Sequence, residues 1–192
     1  MPLRAQYLAD IGLLSNPYPA KPEPRIAAIY GTARRGRISS SLATDLWKRH
    51  FAGIHSLVTT GSLPATHAAF DDWLVSEALK LANILKTHGK GCFGIAQKMT
   101  NLFLKDLWGF GVIKTPIETL LHAPIDRRVL TKFAVIPITW NPWTKATATS
   151  KASDTVKDYL LLQNGLRNLW TTSPIPFPSV IQMEQFLWHP IP

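Results

Sequence analysis

The chain has 192 residues, 46% of them hydrophobic, and a formal charge of +9. That length supports one sizeable core and a single domain, and so basic a balance favours a polyanionic partner, either nucleic acid or an anionic membrane surface. Cys92 is the only cysteine, which excludes a disulfide within the chain and a cysteine-built zinc site; no apolar run is long enough to cross a membrane and the N-terminus lacks a signal-peptide core, so a reducing, cytoplasmic setting is expected.

Taken in chain order, the first punctuation is proline. Pro17, Pro19, Pro22 and Pro24 crowd residues 16–24, a stretch that cannot lie inside a helix. Residues 1–38 are therefore expected to be an extended, proline-rich and basic lead-in, and residues 39–192 a helical domain. The run Tyr30-Gly-Thr-Ala-Arg-Arg-Gly-Arg37 has no phosphate-loop lysine in place and reads as a basic surface loop. Ser39-Ser40-Ser41 caps a helix over Leu42–Phe51. Phe70 to Lys86 is a second, with Trp73, Leu74, Ala78, Leu81, Ala82 and Leu85 at helical spacing.

Gly89-Lys90-Gly91-Cys-Phe-Gly94 spells G-x-G-x-x-G, but a dinucleotide site needs a strand before it, and here a helix precedes. The same glycines suit a tight hairpin between two helices, whose backbone N–H groups can face a phosphate. The next helix carries Lys98, Asn101 and Lys105 at i, i+3 and i+7, with Ile95, Met99, Leu102 and Phe103 supplying its apolar side. Asp126, two residues after Pro124 and just before Arg127-Arg128-Val-Leu, is placed to cap a further helix. Val135 to Pro142 is too broken by proline for a central strand, Thr144 to Ser153 reads as a polar loop, and Val156–Trp170 and Ser179–Trp188 close the chain as helices. The six histidines show no metal-ligand spacing, so no metal site is expected and they read as surface or capping groups. The sum is an all-α domain of six to eight helices.

Lys98 and Asp126 carry the chemistry. An amine that reaches an electron-poor sugar carbon can hold it as a Schiff base, and a carboxylate can steady the cation that forms. An ordinary lysine is mostly protonated at neutral pH, so Lys98 would need burial or a cationic neighbour such as Lys105 to react. On its own a helical lysine is more often solvated, and a carboxylate in the place of Asp126 is more often a cap. Glu184 and Trp188 stand at i, i+4 and share a face. A carboxylate there can accept N–H donors from an extruded purine while an indole stacks on its plane; the plainer alternative is a solvated glutamate beside a core tryptophan.

Gln97-Lys98, then Lys105, then Pro124-Ile-Asp126-Arg-Arg-Val129, and finally Glu184 and Trp188 in Met183–Trp188, resemble the helix-hairpin-helix DNA glycosylase superfamily, most of all the archaeal 8-oxoguanine glycosylase/lyase branch. The resemblance spans roughly residues 70–190 through scattered motifs. It implies a helix-hairpin-helix glycosylase-like fold in which Lys98 is the Schiff-base lysine and Asp126 the catalytic carboxylate. Glu184, Trp188 and, by a weaker match, Trp73 would form the base pocket. Gly89, Lys90, Gly91, Gly94, Lys105, Arg127 and Arg128 would meet DNA phosphates. The usual Leu-Pro-Gly-x-Gly hairpin is absent, with Gly91 and Gly94 in its stead, and Leu102 stands where an aromatic is usual. The implied activity is excision of an oxidised, 8-oxoguanine-like purine from double-stranded DNA, with AP-lyase cleavage. No organic cofactor is needed, and a structural monovalent cation under the hairpin is compatible with the pattern. The setting would be cytoplasmic, at the nucleoid in a prokaryote. The alternatives are an enzyme of the same fold for another modified base, or a noncatalytic DNA-binding or protein-interaction domain on this scaffold.

Overall fold

A computed structural model describes residues 3–13, 21–34, 36–89, 91–125, 129 and 152–188, of which 152–155 and 188 are described by backbone alone. Among these residues all regular structure is helical. Helix α1 is Leu3–Asp10 and α2 is Glu23–Arg34. Helix α3 (Ser40–Leu46) runs through a π-helical turn at Trp47–Phe51 into α4 (Ala52–Thr59). Then come α5 (His67–Thr87), α6 (Phe93–Gly109), a 3-10 turn at Ile117–Leu120, α7 (Ala152–Thr172) and α8 (Val180–Trp188).

Helix starts follow the capping residues. The Ser39 hydroxyl accepts from the Leu42 amide, and the Thr66 hydroxyl from the Ala69 amide, each meeting a donor the helix itself leaves unpaired. Cys92 plays that part for α6, its Sγ facing the Ile95 amide. Helix α6 is the centre of the domain, packed against α1, α2, α5 and α7. Its Ala96, Met99, Phe103, Leu107 and Trp108 are fully covered, and Phe51 and Phe70 fill the space around it.

The expectation of an extended lead-in over residues 1–38 is corrected here. Residues 3–10 and 23–34 are helical, and Tyr7, Ile26, Ile29 and Tyr30 belong to the core. Pro22 and Pro24 stand at the N-terminal end of α2, where proline is tolerated because its missing N–H would lack a helical partner anyway. The run from Tyr30 to Arg34 is likewise helix rather than loop. The capped helix over Leu42–Phe51 is shorter than the structure's continuous segment, which the π-helical turn carries on to Thr59. Residues 135–142 and 144–151 lie outside the described residues, while Ala152 and Ser153 already belong to α7.

The join between α5 and α6 is a tight hairpin. Gly89 takes a left-handed φ of +66°, and Gly91 lies so close to α5 that a Cβ there would fall 2.4 Å from the Ala82 carbonyl oxygen. Only glycine lets the start of α6 approach its predecessor so nearly. Gly94 is in the first turn of α6.

Candidate functional site

The strands of polar contact around α6 define the site. Lys98, Leu102 and Lys105 are spaced one and two turns apart and face one cavity of about 340 Å³, whose wall also includes Tyr7, Arg25, Thr32, Pro124 and Glu184. Asn101 does not share that face. It is buried and donates to the Gln97 side-chain Oε1 at 3.2 Å and to the Tyr159 hydroxyl at 3.0 Å.

Lys98 is half-buried, and its Nζ donates to the Thr32 carbonyl oxygen on α2 at 3.2 Å. Lys105 is buried and ion-paired with Glu184 of α8, which is buried too. The Lys105 ammonium also lies 4.8 Å from the centre of the Tyr7 ring. A lysine so enclosed cannot reach a duplex backbone, so the expectation that Lys105 contacts phosphate is corrected. It is a wall group of the cavity. Glu184 is likewise not solvated, and its carboxylate faces the same cavity as Lys98.

Behind this wall Asp106 holds two elements. Its carboxylate is fully buried and accepts from the Tyr7 hydroxyl on α1 and from Arg25 on α2, Nε at 2.5 Å and Nη2 at 2.7 Å. Burial works against the Arg25 charge, but the Asp106 hydrogen bonds and charge outweigh it and raise the guanidinium above its usual value. Burial and then the Asp106 charge push the Tyr7 phenol well up.

A second network steadies the chain that enters the cavity at Pro124. Gln163 on α7 donates to the Ala123 carbonyl at 2.8 Å and accepts from the Ala123 amide at 3.2 Å. Gln97 donates to the Ile125 carbonyl at 2.9 Å. His122 is buried, with Nδ1 at 2.6 Å from the Tyr159 hydroxyl and Nε2 at 2.7 Å from Asp71. Arg167 Nη2 also stands 2.8 Å from His122 Nε2. Arg167 closes the network on Asp71 with a bidentate ion pair. Burial opposes the Asp71 charge, yet Arg167 and His122 hold its carboxyl well below the usual range. Burial lowers His122 despite Asp71 beside it. The reading of the histidines as surface or capping groups is therefore corrected for His122 and for the buried His50.

Trp73 is the other correction. It stands on α5, half-buried against Phe70 with ring centres 5.2 Å apart, and does not line the cavity. Its indole belongs to the packing of α5. Lys90, Asp126, Arg127, Arg128 and the side chain of Trp188 lie outside the described residues. Asp126 directly follows Ile125, whose carbonyl Gln97 anchors. Arg25, Tyr7 and Asp10 went unread as cavity groups. Ile26, Ile29 and Tyr30 at i, i+3 and i+4 are the helical signal that points to α2, and the flanking prolines masked it. No cluster of three metal-ligand side chains occurs among the described residues. No described helix is long and apolar enough to cross a membrane.

Comparison of the chain with protein-family models, curated proteins and solved structures finds no match.

Proposed function

We propose that the protein is a DNA glycosylase with AP-lyase activity on a helix-hairpin-helix scaffold, acting on an oxidised, 8-oxoguanine-like purine flipped out of double-stranded DNA. The observation that supports this most is one cavity lined by Lys98 and Lys105 of α6, Glu184 of α8 and Pro124, on three stretches of chain far apart in sequence. Its volume falls in the range of small-molecule sites.

In this reading the base enters the cavity and Glu184 accepts from its N–H groups. The Lys98 amine attacks the sugar C1′, the glycosidic bond breaks, and the base leaves with the bonding electrons and takes up a proton. The attacking amine gives up a proton, the C1′–O4′ bond then breaks with O4′ taking one up, and the iminium so formed at C1′ acidifies the C2′ hydrogens; loss of one of them lets the 3′ phosphate depart by β-elimination. Asp126 stabilises the positive charge that develops on the sugar. The Gly89 N–H already donates to the Lys86 carbonyl at 2.9 Å, so a phosphate would be met by the backbone at Gly91 and Gly94, with Lys90, Arg127 and Arg128 as charged companions.

Borohydride reduction of the Schiff base tests the reading. Wild-type chain should be trapped covalently on duplexes carrying an abasic site or 8-oxoguanine, and Lys98→Gln should abolish trapping with the helical circular-dichroism signal intact. Trapping that survives Lys98→Gln would remove the assignment of the nucleophile. The second reading, a noncatalytic DNA-binding domain, draws on the Lys98–Thr32 hydrogen bond, which suits a lysine that ties α6 to α2. DNA binding without any trapping would favour it.

A further inference from the structure

Arg25 is the cavity residue whose hydrogen bonding is unequal on its two sides. Asp106 takes its Nε and Nη2, and Asp106 itself is fully buried and does not line the cavity, whereas Arg25 does. The guanidinium is thus gripped along one edge from behind. Its remaining nitrogen, Nη1, is not taken by Asp106. The Arg25 side chain is 12% exposed, so it meets the cavity rather than bulk water. A planar cation locked by a buried carboxylate cannot swing to suit an arbitrary ligand, and the N–H donors that carboxylate does not take suit a ligand that brings an acceptor.

Across the same cavity stands the Glu184 carboxylate, which can only accept. The wall therefore pairs a fixed donor with a fixed acceptor. A guanine-type base, 8-oxoguanine included, matches this pair, because its O6 accepts while its N1–H and N2 amino group donate; an adenine-type base presents an amino donor at the position of O6. We infer that Arg25 is a specificity-determining residue that donates through Nη1 to O6 of a guanine-type purine and rejects the adenine counterpart, whose 6-amino group donates. The inference rests on the reading of this cavity as a base pocket. It adds a residue that lies on α2, outside the stretch carrying the motif resemblance.

The test is binding of two nucleosides, 8-oxoguanosine and 8-oxoadenosine, to the full chain, followed by intrinsic tryptophan fluorescence or ligand-observed NMR. Wild-type protein should prefer the guanine form by about tenfold, the worth of one good charged contact to a base edge. Arg25→Lys keeps a cation for Asp106 but loses the fixed fork, and the preference should fall to within about threefold. Arg25→Met combined with Asp106→Asn removes the charge pair as a unit, keeps a polar partner for the Tyr7 hydroxyl, and should abolish the preference too. Unchanged preference in a folded variant would overturn the inference, and so would a wild type that binds neither nucleoside or favours the adenine form. A preference that depends on Arg25 in a protein that cannot be trapped on DNA would uphold the pocket and refute the glycosylase reading.

Discussion

Lys105 and Glu184 show what a single buried pair does for this molecule. Each is almost wholly covered, and each has lost its water shell. Neither charge is tolerable there without the other. Lys105→Met should therefore destabilise the chain by about 3–5 kcal/mol in urea unfolding, since it strands the Glu184 carboxylate. Adding Glu184→Gln should restore most of that loss, because both charges then leave together. A double variant no more stable than the single one would mean that the two groups do not depend on each other. At this scale the sequence was partly legible. The spacing of Lys98 and Lys105 put both on one helix face, and both do face the cavity. It could not tell that Lys105 is buried, because the covering groups, Tyr7 and Glu184, come from opposite ends of the chain.

At the scale of elements, α5, α6 and their neighbours are joined through side chains that work only while uncharged or paired. His50 in the π-helical turn is buried, and its imidazole is lowered to about 4 by that burial and by the Lys80 charge. His122, between α5 and α7, is lowered by burial as well. In the unfolded chain both revert to an ordinary value of about 6.5. Between that value and the folded one the unfolded state binds more protons, so stability rises with pH and falls on acidification. His50 alone should cost on the order of 2 kcal/mol on going from pH 7 to pH 5. Asp71 adds nothing in that window. Its folded carboxyl lies below the unfolded one, so its contribution is present above about pH 4 and lost only below it. The expected result is a Tm lower at pH 5 than at pH 7, with the difference reduced in His50→Gln. A Tm that stays level or rises would contradict neutral burial of these imidazoles.

The elements differ in how openly the sequence announced them. α5 and α6 were legible because long apolar periodicity outweighs any one residue. α1 and α2 were not. Four prolines beside a basic stretch suggested extended chain, yet two of those prolines sit where a helix begins and do it no harm. What holds α1 and α2 is Asp106, nearly a hundred residues from Tyr7, and no local pattern reveals a contact of that span.

For the whole molecule the formal charge of +9 is the property with the longest reach. Lys105 is spent inside the cavity, as are the charges of Arg25 and Arg167 in their ion pairs. The remaining basic groups supply any attraction to DNA. Binding to undamaged duplex should weaken steeply as salt rises, with a log–log slope of about −0.9 per phosphate neutralised. Lys105→Met should leave that slope unchanged, because an enclosed lysine releases no counterion. Affinity that ignores salt would speak against a nucleic-acid partner. A slope that drops in the Lys105 variant would place that lysine at the backbone after all.

By itself the sequence determined the helical class, the long helices around the hairpin and the alignment of Lys98 with Lys105, since caps and a 3.6-residue period act over a few turns of chain. The tertiary structure alone decided that the first helices are part of the core, that Trp73 packs within α5 rather than at the cavity, and that His122 lies buried in the network beside the Pro124 segment. It also decided that Arg25 borders the cavity beside Lys105 and Glu184. Burial and ion pairing depend on which distant surfaces meet, and that meeting is set by the fit of the whole core rather than by any stretch of residues read along the chain.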